Sequence, residues 1–138
     1  MIFQDTIKLA PQEKGVTDIT DLVSEIIAES NIQIGTCQLF VHNSSSSLLI
    51  YDTADEDIKN HTQDFLAQLA PSSDHIKQHI DASMDAVPEN MQATILQTSI
   101  SFPVNRGKPL LGTWQGIYLW ERRSIPQHRK LTITVIGE

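Results

Sequence analysis

At 138 residues and 15.4 kDa the chain has the size of one domain, 1–138, long enough to bury a sizeable core and too short for two. A formal charge of -7 sets aside nonspecific binding to nucleic acid or to an anionic membrane, while leaving room for a small anionic ligand wherever basic groups gather. No apolar run reaches the length of a transmembrane helix, and Gln4 and Asp5 straight after Met1-Ile2-Phe3 do not fit a signal peptide, so the expected compartment is the cytoplasm.

Ile2 to Leu9 alternates, with Ile2, Gln4, Thr6 and Lys8 on one side and Phe3, Ile7 and Leu9 on the other, and reads as a strand. A turn follows from Pro11 to Gly15. Asp18 is placed to cap a helix, and Ile19, Leu22, Val23, Ile26 and Ile27 give that helix one core-facing stripe up to about Ser30. Ile32 to Val41 is strand-like, ends in His42-Asn43, and holds the single Cys37, which is expected as a buried, inert thiol. Ser44 to Ser47 lie between two strand signals and read as ordered polar backbone, whose hydroxyls and amides suit an oxyanion; Leu48 to Tyr51 is the next strand.

Asp55 caps a second expected helix, with Ile58, Thr62, Phe65, Leu66 and Leu69 on one face. A short third helix runs from Pro88 to about Gln97, and His75 and His79 fall in the weakly periodic stretch before it. Thr98 to Val104 is a strand, and Asn105 to Pro109 a turn in which Arg106 and Lys108 flank Gly107. His61 and His128 read as solvated surface residues. Strands outnumber helices and the helices lie between strand pairs, which points to an α+β or sandwich architecture rather than a parallel doubly wound sheet.

Gly112-Thr113-Trp114-Gln115-Gly116-Ile117-Tyr118-Leu119-Trp120-Glu121 gathers both tryptophans, a tyrosine and a carboxylate into one segment. Ile117 to Trp120 reads as a strand with Glu121 at its far end, and Gly112 and Gly116 bracket a turn or bulge. Between Trp120 and Arg122-Arg123, the Glu121 carboxylate has the surroundings of either a tuned catalytic group or a structural one paired with a neighbouring Arg. This segment, the Arg-containing turn after it and the terminal run Lys130 to Glu138 resemble the YjbQ family, also called UPF0047, over nearly the whole chain. The resemblance implies a two-sheet β-sandwich with two to three flanking helices, assembled as a homotrimer, and an activity of the secondary thiamine-phosphate-synthase type.

In that family the polar site is built from three histidines and a carboxylate. Counting back without a gap from Ala54-Asp55 puts the first family histidine at Asn43, with Ser44, Ser45 and Ser47 at the hydroxyl positions; a one-residue shift would put it at His42 instead, and in a strand that slip reverses the face. The loop histidine falls on His79 and the helix histidine on Asn90, while Glu121 and Arg123 keep their family types. On the ungapped reading the chain resembles a divergent member in which two of the three imidazoles have become carboxamides, which do not titrate near neutrality and bind zinc poorly, so a divalent metal is doubtful; His79 and His42 would be its ligands if one binds.

Two functions compete. One is a transferase joining a pyrimidine diphosphate to a thiazole phosphate, with Glu121 and His79 nearest the chemistry and Asn43, Ser44, Ser45, Ser47, Asn90, Trp114, Gln115 and Arg123 holding substrate. The other is a catalytically degenerate trimer that binds a small phosphorylated or anionic molecule with the same residues. Arg122, Arg123, Arg129 and Lys130 form the densest cationic cluster, suited to phosphate or to acids across a subunit contact.

Overall fold

The structure is a computed structural model that describes residues 1–10, 15–52, 61, 64, 96–122 and 127–138. In chain order its elements are β1 (Ile2–Leu9), β2 (Gly15–Asp18), α1 (Thr20–Glu29), β3 (Ile34–Val41), β4 (Ser46–Asp52), β5 (Ser99–Asn105), β6 (Lys108–Pro109), β7 (Gln115–Glu121) and β8 (Arg129–Gly137). Two antiparallel sheets result, one of five strands in the order β1-β8-β3-β5-β6 and one of three in the order β2-β7-β4. This is a mostly-β α+β fold of two sheets with α1 packed against them.

Alternation along each strand decides what lies between the sheets. From the larger sheet, Cys37, Leu39 and Val41 of β3, Ile100, Phe102 and Val104 of β5, and Leu131, Ile133 and Val135 of β8 point inward; Leu48 of β4 with Ile117 and Leu119 of β7 meet them from the smaller sheet. Val23, Ile26 and Ile27 of α1 complete this core. Each fully buried aliphatic side chain there contributes about 1.5–3 kcal/mol. The other face of the smaller sheet is apolar as well, with Val16, Tyr118 and Trp120 buried beside half-buried Leu49, Tyr51 and Leu96.

The stripe expected on α1 is the buried one. Asp18 closes β2 and its carboxylate accepts from the Thr20 amide at 2.9 Å, so it ties down the helix start from one residue further back than a cap would. The Thr20 hydroxyl is turned instead to β7, where it accepts from the Ile117 amide at 2.8 Å. Asn31, in the left-handed conformation with φ 59°, ends the helix.

The short strand β2 is not foreseen by the sequence pattern, whereas the turn expected between Gly112 and Gly116 is present at Thr113-Trp114, with Gly116 already inside β7. Of the second expected helix, His61 and Asp64 are described; both are helical and exposed. The rest of that helix, and the third up to residue 95, lie outside the described residues, whereas Leu96 and Gln97 are not helical. In the larger sheet Gly35 and Gly137 face each other across β3 and β8, and a Cβ on either would collide with a backbone oxygen of the opposite strand.

Candidate functional site

The same alternation that fills the core carries polar groups to one end of it. Glu121 follows Ile117 and Leu119 on the inward face of β7, Ser46 stands opposite it on β4, and Arg129 precedes Leu131 and Ile133 on the inward face of β8. Glu121 is 1% exposed and Arg129 6%. They pair across the gap between the sheets: Arg129 Nε donates to Glu121 Oε2 at 2.7 Å and Nη2 to Oε1 at 3.1 Å. Ser46 Oγ donates to Oε2 at 2.8 Å, and the guanidinium also donates to Ser45 Oγ at 2.8 Å and to Gln127 Oε1 at 3.0 Å. A buried ion pair is tolerated on these terms, with bidentate geometry and the remaining donors engaged.

Arg122, next in sequence to Glu121, is sent to the opposite face of the smaller sheet. Its guanidinium lies 5.4 Å from the centroid of the Trp120 ring and donates to Ser47 Oγ and to the Ser44 carbonyl. The partner of Glu121 described here is therefore Arg129 in the other sheet, not the adjacent Arg122, because neighbours in a strand face apart. Arg123 lies outside the described residues. Serines 44–47 thus take hydrogen bonds from guanidiniums on both sides, and Ser45, Ser46 and Ser47 are buried, as ordered polar backbone requires.

His42 and Asn43 part in the same way. Asn43 turns toward the serines and its Nδ2 donates to Ser45 Oγ at 2.9 Å and Ser46 Oγ at 3.0 Å. Its Oδ1 is buried and meets no donor among the described residues. His42 turns to the outer face of the larger sheet, where Nε2 lies 2.6 Å from Thr132 Oγ1 and the ring packs edge-on against Phe40. Asn43, and not His42, is the residue that joins the serine and Glu121 network.

Where β1 ends, β3 ends and β8 begins, a cavity of about 420 Å³ is lined by His42, Asn43, His128, Arg129 and Lys130. His128, read from sequence as plain surface, is held there by a 3.2 Å contact between Nδ1 and the Leu9 carbonyl, to which the ring nitrogen must be the donor. No carboxylate lines this cavity among the described residues.

Trp114 and Gln115 lie elsewhere. Trp114 is exposed, Gln115 accepts from the Gly112 amide through Oε1 at 2.7 Å, and the length of β7, roughly 20 Å at about 3.3 Å per residue, separates them from Glu121. Within one chain they cannot share a small ligand with the serine segment. His79 and Asn90 lie outside the described residues. Cys37 is buried in the core, and that burial pushes its thiol up from 9.0 to about 12, which keeps it un-ionised and unreactive.

Among the described residues the donor set does not fit a divalent cation. Asn43 offers a carboxamide, and a cation beside Glu121 would have to displace the Arg129 guanidinium that already neutralises it. Among the described residues no three His, Cys, Asp or Glu side chains gather closely enough to hold a metal.

The family model described as UPF0047 protein YjbQ-like matches residues 5–138. A UPF0047 protein of Synechocystis is 32% identical over 135 residues, covering 98% of this chain and 92% of that protein. YjbQ of Escherichia coli O157:H7 is 27% identical with both chains fully covered. Among solved structures, a YbjQ-like protein of unknown function from Sulfolobus solfataricus superposes with a TM-score of 0.81 at 27% identity, covering 100% of this chain and 99% of its own. The fold is thus shared with a solved relative over the whole chain, and the chain belongs to the UPF0047 (YjbQ-like) family.

Proposed function

We propose that this chain is a small-anion-binding member of the UPF0047 family, assembled as a homotrimer, in which imidazole chemistry at the serine segment has given way to hydrogen bonding. The observation that carries this reading is the state of Glu121: it accepts both arms of Arg129 and the Ser46 hydroxyl, and the residue bridging those serines is the carboxamide of Asn43. A carboxylate so engaged is a structural group, not a base or a metal ligand. The adjoining cavity, rich in cationic and imidazole groups and without a lining carboxylate among the described residues, suits an anion.

A thiamine-phosphate-synthase-like transferase is the reading this displaces. It would need the departing pyrophosphate to be stabilised by a metal or several converging cations, with Glu121 and His79 at the chemistry. Assembly is supported by the outer face of the larger sheet, where exposed Ile2 and Ile136 are directly paired and Ile34 and Phe40 share the face. Elemental analysis of the purified protein after exposure to zinc tests the loss of metal chemistry. The natural chain is expected to stay empty and the Asn43→His, Asn90→His double variant to fill. One metal per natural chain, or steady release of pyrophosphate from the two thiamine precursors, overturns the reading.

A further inference from the structure

Lys8 and Lys130 are directly opposite each other on the outer face of the larger sheet, and both are exposed. Like charges in that position repel, and a chain of net charge -7 has acids enough to avoid such a pair. Neither lysine makes an ion pair among the described residues. The same corner is where the backbone binds the ends of three strands together: the His42 amide donates to the Lys130 carbonyl at 3.0 Å, and His128 is fastened to the carbonyl of Leu9, the neighbour of Lys8. Lys130 and two imidazoles, His42 and His128, therefore line one cavity together with the buried Arg129, and Lys8 lies beside it as the partner of Lys130 across the ladder.

We infer that this corner is the seat of the anion, and that the anion is multiply charged, a small molecule carrying a phosphate-type group gripped by Lys8, Lys130, His42 and His128. The inference rests on the anion-binding reading above and adds the place and the charge of the ligand. Either anion offsets the repulsion between the lysines, but each further negative charge adds attraction to every cation around it, so a doubly charged phosphate is held more tightly there than a singly charged carboxylate. The serine segment is then the inner wall that keeps Arg129 and Asn43 in place, and the outer corner does the gripping.

Calorimetric titration of inorganic phosphate, pyrophosphate and acetate into the natural protein tests this, alongside Lys130→Gln and the control Lys108→Gln, which removes the same charge from β6 at the far edge of the sheet. Pyrophosphate should bind more tightly than phosphate, and phosphate more tightly than acetate. Lys130→Gln should weaken phosphate binding about five- to tenfold, while Lys108→Gln leaves it within about twofold. Lys130→Gln should also melt at the same or a higher temperature, since it relieves the repulsion with Lys8, so weaker binding cannot be laid to poorer folding.

Equal losses from both variants, or phosphate heats that Lys130→Gln leaves untouched, overturn the placement while the anion-binding reading stands. Absence of heat from all three anions defeats both. If the corner meets acids of a second copy instead, phosphate fails to bind and Lys130→Gln shifts the oligomeric mass, which also overturns the inference.

Discussion

Arg129 and Lys130 are neighbours in β8, yet the alternation of the strand sends one between the sheets and the other to the outer face. Arg129 is buried and meets Glu121, Ser45 and Gln127 at hydrogen-bond distances; Lys130 is exposed, stands opposite the like charge of Lys8 across the ladder, and makes no ion pair among the described residues. The inner cation has its counter-charge built into the fold, so its contribution is to hold the two sheets together at that end. The outer one has none among the described residues, and on the reading above a bound anion supplies it. Charge alone does not separate a structural basic residue from a ligand-binding one; what separates them is whether the fold has already answered the charge.

Substitutions on the two sides should therefore behave in opposite ways. The largest effect is expected from Glu121→Ala, which leaves a buried guanidinium uncompensated: urea denaturation should show a loss of about 3–5 kcal/mol, and a loss under about 1 kcal/mol would mean that Arg129 escapes to water and the pair is not an inter-sheet fastening. Ser46→Ala removes one donor to the same carboxylate and one acceptor from Asn43, and should cost about 1–2 kcal/mol in the same measurement, with Glu121 still held by Arg129. The smallest effect, and of reversed sign, is expected outside. Lys8→Gln should raise stability by about 0.2–1 kcal/mol, and a fall instead would show that Lys8 makes favourable contacts that outweigh its repulsion with Lys130.

Much of this was legible in the sequence, though unevenly. The alternation of Ile2 to Leu9 gave β1 with its bounds and its two faces, and the stripe from Ile19 to Ile27 gave the buried side of α1, because a local period reports burial directly. Ser45 to Ser47 were readable as ordered, since so short a polar run between two strands has no room to be a linker. The strand β2 escaped because its four residues have too little length to show a period and are held by pairing with β7.

At the site, sequence proximity misled. Glu121 sits beside Arg122, but its described partner is Arg129, which a different sheet brings to it. Counting leaves His42 and Asn43 open, and of the two it is Asn43 that shares a face with the serines. Lys8 and Lys130 lie near opposite ends of the chain, and only the antiparallel register of β1 with β8 makes them neighbours. His79, Asn90 and Arg123, on which the family pattern also leans, lie outside the described residues.

The position of β8 also bears on how the molecule comes into being. It is the latest strand in the chain and lies in the middle of the larger sheet, between β1 and β3, while supplying Arg129 to fasten the smaller sheet. On a ribosome, β1 and β3 can be made early but have no common neighbour until residues 129–137 emerge. Both sheets then close at nearly the same moment through contacts of long sequence separation, a slow topology in which the exposed edges of β1 and β3 wait for their partner. A chain stalled shortly before β8 would present two unpaired strand edges at once, and would be a substrate for chaperones rather than a partly folded protein.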